Sequence, residues 1–300
     1  MLTRLPNNKS PLYGAALIVL IALLTSISNS LTHSLPSHLP SSQILFLKSL
    51  IGFVLVALLF KGDFKRLFTT HHFRWQFFKG AAGAVGNGLW IAAVQVLPLG
   101  DSSALSLTSA LMTTLGAYYF FSEVPKKPTL IALALGFFGV LLILKPTHAV
   151  FQVYSFYPLF SALAFSISSL IVKKVSITDR SETTLSYLLL WMAVLSLVPA
   201  VHQWQPLSGF HFLKLIGIAL LYAGGQLALI EAYTYTQAAF LAPFKFSRFP
   251  LAIAAGWLFF NEPFSWSTFI GGTIIIFSYF YLLRQKNKIS DECECPCAKP

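Results

Sequence analysis

Ten stretches of about twenty mostly apolar residues follow one another along the chain, separated by short polar connections. The hydrocarbon core of a bilayer is about 30 Å thick, and a helix of roughly 20 apolar residues crosses it. Most of the stretches are continuously apolar rather than alternating, which favours helices over membrane strands. We therefore expect an all-α membrane protein with ten transmembrane helices. The predicted spans are residues 11–31, 43–60, 75–96, 103–122, 128–145, 154–172, 183–201, 212–234, 238–260 and 265–283.

Charged residues make up only 10% of the 300 residues, whereas apolar residues make up 56%. A soluble domain carries about 25% charged residues to cover its surface, so a water-soluble fold is excluded. The formal net charge of +11 comes from basic residues scattered between the apolar stretches. Because they form no continuous basic face, no nucleic-acid partner is expected.

Basic residues in the loops predict the orientation. Fifteen fall on the side of the amino terminus, and one, Lys145, falls on the opposite side. Lys and Arg in short loops stay in the cytoplasm. We therefore expect a multi-pass protein of the cytoplasmic membrane, with an even number of helices and both termini inside. The first span follows Arg4 and Lys9 without a clear cleavage site, so it is expected to be retained.

The sequence contains a faint internal repeat. Residues 120–123 (Phe-Phe-Ser-Glu) align with residues 259–262 (Phe-Phe-Asn-Glu) at an offset of 139. The same offset pairs Asn87 with Gln226, and an offset of 140 pairs Ser28 with Ser168. Because five is an odd number, two repeats of five helices would cross the membrane in opposite orientations. This is the arrangement of an inverted-repeat transporter.

The predicted units are a first repeat at residues 1–150, a second repeat at residues 151–285 and a polar cytoplasmic tail at residues 286–300. The tail holds all three cysteines, Cys293, Cys295 and Cys297. Thiolates at this spacing are compatible with a soft metal, but a disordered end is the simpler interpretation. No metal site is therefore predicted.

Two matching pairs of motifs carry a family resemblance. Residues 97–104 (Leu-Pro-Leu-Gly-Asp-Ser-Ser-Ala) precede Phe-Phe-Ser-Glu, and residues 237–244 (Gln-Ala-Ala-Phe-Leu-Ala-Pro-Phe) precede Phe-Phe-Asn-Glu. On these motifs the chain resembles the EamA-type members of the drug/metabolite transporter superfamily. The resemblance implies ten helices in two repeats and transport of small metabolites or drugs. Residues 241–246 also resemble bacterial importers of S-adenosylmethionine.

The ninth span holds the strongest candidates for cargo binding. Lys245 and Arg248 lie three residues apart inside the span, between Pro243 and Pro250. Ionisable groups inside a membrane are costly and mark functional sites. A broken helix with two cations on one face is a candidate clamp for an anion or carboxylate. The alternative is that Glu231 or helix ends neutralise the two cations, which would make the pair structural.

Glu231, in the eighth span, is the only carboxylate that lies within a predicted span. It is a candidate for binding a substrate amine, for carrying a coupling proton or for pairing with Lys245 or Arg248, and the ion pair is favoured. Lys48 in the second span is a further candidate, although its side chain is long enough to reach the membrane surface. Polar and aromatic candidates complete the predicted substrate-binding lining: Asn29, Asn87, Trp90, Gln95, Tyr222, Gln226, Tyr233 and Phe244.

No nucleophile motif, ATP-binding loop or zinc-ligand spacing occurs, so neither an enzyme nor a cofactor is predicted. Transport must then be downhill, by exchange or coupled to an ion. The sequence predicts a secondary transporter that works by alternating access on a small zwitterionic or anionic metabolite, amino-acid-like or nucleoside-like, with S-adenosylmethionine as an example. The partners are then that metabolite, the lipid bilayer and a proton or counter-substrate. An exporter of hydrophobic amines and a non-transporting receptor or scaffold are the alternatives.

Overall fold

The computed structural model describes residues 11–36, 38–60, 67–97, 99–122, 125, 127–144, 156–176, 178–235, 241, 243–248 and scattered positions from 251 to 281. These residues are helical or irregular and include no strand. The helices are α1 (Pro11–His33), α2 (Ser41–Leu59), α3 (Phe73–Val96), α4 (Leu99–Ser106), α5 (Thr108–Phe121), α6 (Lys127–Leu144), α7 (Phe156–Val175), α8 (Ser181–His202), α9 (Gly209–Tyr235) and a short 3-10 helix (Pro243–Ser247).

The first eight predicted spans each coincide with helical residues. Within the described chain, five helices are long and apolar enough to cross a membrane: Ala16–His33, Ser41–Leu59, Phe156–Val175, Ser181–His202 and Gly209–Thr234. The ninth span is described mainly by the 3-10 helix, and the tenth only at scattered positions. The tail at residues 286–300, with its three cysteines, lies outside the described residues.

The fourth predicted span is two helices rather than one. The prediction of a single helix over residues 103–122 is wrong, because α4 ends at Ser106 and α5 begins at Thr108. The hydroxyl of Ser106 donates to the carbonyl of Ser103 at 2.7 Å, and that of Thr108 donates to the carbonyl of Leu105 at 2.8 Å. Such local bonds compete with helical hydrogen bonding and favour an interruption here.

The distribution of polarity is that of a membrane protein. Large apolar side chains face outward, including Leu59, Phe120 and Val198 at 74%, 77% and 76% exposure. In contrast, Lys48 and Lys79 are buried at 4% and 0% exposure. In water this arrangement would expose large apolar patches, which is unfavourable. In a membrane the same apolar faces contact lipid chains, and the buried lysines are kept away from them.

The largest contacts between helices join the two predicted halves of the chain. Helix α1 packs along α9, α3 packs along α7 and α8, and α2 packs along α8. The two halves therefore interlock rather than forming separate globules, and the surfaces between them lie at the centre of the bundle.

Polar contacts tie the halves together at both ends of α8. Before α8 begins, the Asp179 carboxylate accepts hydrogen bonds from the Thr70 hydroxyl, from Gln76 Nε2 at 2.9 Å and from the His71 backbone N–H at 3.2 Å. Beyond the end of α8, Gln43 Nε2 donates to the Gln205 carbonyl at 2.8 Å. The Gln205 N–H in turn donates to Gln43 Oε1 at 3.0 Å.

Candidate functional site

A cavity of about 150 Å³ lies between the interlocked halves. Its walls come from α1, α2, α3, the α4–α5 interruption, α7, α8, α9 and the 3-10 helix with the residue that follows it. Eight of the twelve predicted binding residues line this cavity: Asn29, Lys48, Asn87, Trp90, Tyr222, Gln226, Lys245 and Arg248. The structure thus brings together side chains that lie more than two hundred residues apart in the sequence.

Lys48 belongs to a buried hydrogen-bonded group on one side of the cavity. Its Nζ donates to Asn87 Oδ1 at 3.0 Å and lies 4.2 Å from the centre of the Tyr222 ring. Asn87 Nδ2 donates to the Gly83 carbonyl at 2.9 Å and to the Tyr222 hydroxyl at 3.0 Å. Asn87 therefore holds Lys48 and Tyr222 in place, and the ammonium group stays in the interior instead of reaching the membrane surface.

Arg248 and Asn29 meet at Trp90. The guanidinium carbon of Arg248 lies 4.5 Å from the centre of the Trp90 ring, within the range of a cation–π contact. Trp90 Nε1 donates to Asn29 Oδ1 at 3.0 Å. Trp90 is itself buried and packs against Val94 and Phe165. Because a cation lies over its ring, Trp90 positions its neighbours rather than offering an open stacking face.

Lys245 is surrounded by hydroxyl groups and an aromatic ring. Its Nζ donates to Thr113 Oγ1 at 3.3 Å and to Ser169 Oγ at 3.5 Å. The same nitrogen lies 5.8 Å from the centre of the Tyr233 ring. These neutral partners orient the ammonium group without cancelling its charge.

The cavity has a one-sided charge. Lys48, Lys245 and Arg248 line it, and the described lining includes no aspartate or glutamate. Buried cations are stabilised by anions or by strong hydrogen-bond acceptors. The arrangement therefore favours a ligand that is negatively charged or rich in acceptor atoms, and it disfavours a cation.

Glu231 does not join this site. Along α9 the lining residues Tyr222, Gln226 and Leu229 follow one face, whereas Glu231 lies two residues beyond Leu229. At about 100° per residue, that step turns Glu231 to the opposite side of the helix. Within the described chain Glu231 forms no ion pair with Lys245, whose contacts are those given above, so the favoured ion pair is wrong. Arg248 likewise contacts Trp90 instead.

The remaining three predicted residues are not part of the cavity lining. Gln95 Nε2 donates to the Leu39 carbonyl at 2.9 Å, near the end of α3. Phe244 is buried in the apolar core. Tyr233 is fully buried, and its ring lies next to Lys245, so it supports one wall.

Phe165, Ser168 and Ser169 of α7 line the cavity without having been predicted as binding residues. The internal repeat contained the signal for the two serines, because the offset of 140 pairs them with Ser28 and Asn29 of α1. Ser28 also lines the cavity. Phe165 carried no such signal, since an aromatic residue in an apolar span is typical of a lipid-facing surface.

A comparison with protein families decides the identity of the chain. The model of the EamA-like transporter family matches residues 12–145 and again residues 153–284. The chain belongs to this family. The predicted resemblance is confirmed, and the family model matches the chain twice, once in each half. As an EamA-family member the chain is a multi-pass membrane transporter.

Several curated relatives of this EamA-family chain are named transporters. The riboflavin transporter of Vibrio cholerae is 30% identical over 93% of this chain and 96% of its own length. The pseudopaline exporter CntI of Pseudomonas aeruginosa is 26% identical over 91% of this chain and 96% of its own. The S-adenosylmethionine uptake transporter of Rickettsia felis is 24% identical over 93% and 95%.

A solved crystal structure shares the fold. It superimposes with a TM-score of 0.71 at 14% sequence identity and covers 93% of this chain and 97% of its own. At this identity the likeness shows the fold alone.

Proposed function

We propose that this protein is a secondary transporter of a flavin-class metabolite, with riboflavin as the leading cargo, in the cytoplasmic membrane. The observation that carries the proposal is the set of three cations around a cavity whose described lining includes no carboxylate. Riboflavin has a flat ring with carbonyl oxygens and ring nitrogens that accept hydrogen bonds, and a chain of hydroxyl groups. The riboflavin transporters of Vibrio cholerae and Rhizobium johnstonii, each 30% identical to this chain, support the choice.

The same charges weigh against two other cargos. S-adenosylmethionine carries a sulfonium and an ammonium cation against a single carboxylate, so its net charge is positive, and a hydrophobic amine is protonated at neutral pH. Either would bring a positive charge towards Lys48, Lys245 and Arg248 without a lining carboxylate to offset it. A carboxylate with net negative charge is the second candidate, because the three cations would bind that charge directly.

The transporter alternates between two conformations by moving two inverted repeats about the cavity. In the predicted repeats α1 corresponds to α7, and α3 corresponds to α9. The α1–α9 contact therefore corresponds to the α7–α3 contact, and both are among the largest in the bundle. The lining also includes both members of several repeat-related pairs. These pairs are Ser28 and Ser168, Asn29 and Ser169, Asn87 and Gln226, Lys48 and Leu188, and Ser109 and Arg248. A site built in this way can face either side of the membrane in turn.

The contacts at the two ends of α8 are suited to this movement. Asp179 joins the halves at one end, and Gln43 joins them at the other. Opening either end requires the loss of a few hydrogen bonds, each contributing about 1 kcal/mol net, or about 1.5 to 3 kcal/mol when a charged group takes part. Costs of this size allow both conformations to be populated. The basic loops favour a cytoplasmic position for both termini and for the Asp179 end.

The proposal is tested by measuring riboflavin flux into proteoliposomes that contain the purified protein. The unmodified protein should carry riboflavin, and Lys245→Ala and Arg248→Ala should each reduce the flux about tenfold or more, because each removes a charged donor. Lys214→Ala is the matched control, since Lys214 contacts Ser34 at the bundle surface outside the cavity. Flux that is equal in all four proteins, or flux of S-adenosylmethionine without riboflavin, would contradict the proposal.

A further inference from the structure

Two buried hydrogen-bond donors of the cavity lining have no acceptor among the described residues. They are Nδ2 of Asn29 and Nε of Arg248. Asn29 is only 8% exposed, so bulk water does not readily satisfy its amide group. Buried donors are nearly always paired in native proteins, and an orphan donor in a binding cavity indicates the position of a ligand acceptor.

The orientation of the Asn29 amide follows from its neighbour. The indole Nε1 of Trp90 can only donate, so the Asn29 atom that it meets at 3.0 Å must be the oxygen, Oδ1. The other end of the amide is therefore the NH₂ group, and it is available to the cavity. Arg248 is held by the same residue, because its guanidinium group lies over the Trp90 ring.

Asn87 shows what a structural asparagine looks like in the same cavity. Its oxygen accepts from Lys48, and its nitrogen donates both to the Gly83 carbonyl and to the Tyr222 hydroxyl. The NH₂ donors of Asn87 are thus in use, whereas the NH₂ group of Asn29 has no acceptor within the described part of the chain. Of the two asparagines, Asn29 is the one placed to contact cargo.

We propose that Asn29 and Arg248, both positioned by Trp90, form a subsite that recognises the carbonyl edge of the flavin ring. The two side chains present donors, and the one oxygen between them, Asn29 Oδ1, is engaged by Trp90. A cargo hydroxyl placed there would lack an acceptor for its own proton, whereas a carbonyl oxygen only accepts. The carbonyl edge therefore fits the subsite better than the hydroxyl chain does. This inference rests on the proposed function, and it makes Asn29 and Arg248 specificity-determining residues.

The test compares riboflavin with its 2-thio and 4-thio analogues, in which a carbonyl oxygen is replaced by sulfur, a weaker acceptor. Dissociation constants are measured by equilibrium dialysis against purified protein in nanodiscs. The unmodified protein should bind riboflavin about tenfold more tightly than at least one thio analogue, as expected for one lost hydrogen bond. Asn29→Asp keeps the acceptor for Trp90 but removes the donor, and Arg248→Met removes the guanidinium group. Each should weaken riboflavin binding about tenfold and reduce the preference for oxygen over sulfur to about twofold or less.

Ser26→Ala is the control, because Ser26 lies one turn before Asn29 on α1 and outside the cavity lining. It should keep both the affinity and the preference of the unmodified protein. An equal affinity of the unmodified protein for riboflavin and both thio analogues would overturn the subsite while leaving flavin transport intact. An unchanged preference in a folded Asn29→Asp or Arg248→Met protein would do the same. If the unmodified protein binds no flavin at all, the proposed function fails, and the subsite fails with it.

Discussion

Replacing Gly80 with alanine tests how closely the two halves pack along α3 and α8. A methyl group on Gly80 would lie 2.3 Å from Cβ of Trp191. Carbon atoms pack at about 3.5–4.0 Å, so α3 and α8 would have to separate by roughly 1 Å at this point. Trp191 cannot relieve the contact by changing rotamer, because its Cβ is bonded to the backbone. Its ring is also held edge-on by Phe77, with the ring centres 4.8 Å apart.

The expected loss of stability follows from two opposing effects. Overpacking of a close contact costs about 1–3 kcal/mol, and a contact this short belongs at the upper end of that range. Alanine is about 1 kcal/mol more favourable than glycine inside a helix. The net expectation is that Gly80→Ala destabilises the protein by about 2 kcal/mol. Gly88→Ala on the same helix is the matched control, because its methyl group would lie 3.7 Å from Leu45, an ordinary contact.

Thermal unfolding of the detergent-solubilised variants, followed by the loss of monodisperse protein, measures the difference. Gly80→Ala should unfold at a clearly lower temperature than the unmodified protein. Gly88→Ala should unfold at the same temperature or slightly above it. Equal midpoints for the two variants would refute the claim that α3 and α8 are in their closest possible contact at Gly80.

Three further predictions concern the buried polar residues. Lys48→Met should reduce riboflavin flux about tenfold or more while changing the unfolding temperature little, because the lost desolvation cost of the cation offsets the donor that Asn87 Oδ1 loses. A large loss of stability without loss of flux would contradict the role given to Lys48. Asp179→Ala should lower stability by on the order of 3 kcal/mol, since several hydrogen bonds end on this one carboxylate. An unchanged unfolding midpoint would show that this contact does not hold the halves together. Gln43→Leu should lower stability less, by about 1–2 kcal/mol, because both hydrogen bonds between Gln43 and Gln205 join neutral groups. A larger loss of stability in Gln43→Leu than in Asp179→Ala would contradict this expectation.

The helical positions were predictable because lipid imposes a simple rule. Every backbone group in hydrocarbon must be paired within the chain, so apolar stretches of sufficient length become helices. The interruption at Leu107 escaped this rule, because it depends on where the Ser106 and Thr108 hydroxyls point rather than on hydropathy. Interruptions of this kind are tolerated where the backbone lines a cavity, and Leu107 is a cavity residue.

The sequence predicted those site residues that are energetically costly inside a membrane and that lie on a helix face lining the cavity. Lys48, Lys245 and Arg248 stood out because cations in a membrane need a polar environment, and all three line the cavity. Glu231 was predicted to join the site for the same reason, but its angular position on α9 turns it away from the cavity. The difference between Asn29 and Asn87 lies in their hydrogen-bond partners, which only the packed helices reveal.

We propose that the cavity, with three cations and no carboxylate in its described lining, binds acceptor-rich cargo in preference to cationic cargo. The most direct test adds riboflavin or S-adenosylmethionine to the purified protein and measures the unfolding temperature of the protein. A ligand at about 100 times its dissociation constant stabilises the folded state by about 2.7 kcal/mol, which is a measurable shift. We expect riboflavin to raise the unfolding temperature and S-adenosylmethionine to leave it unchanged. Stabilisation by S-adenosylmethionine without stabilisation by riboflavin would contradict the proposal.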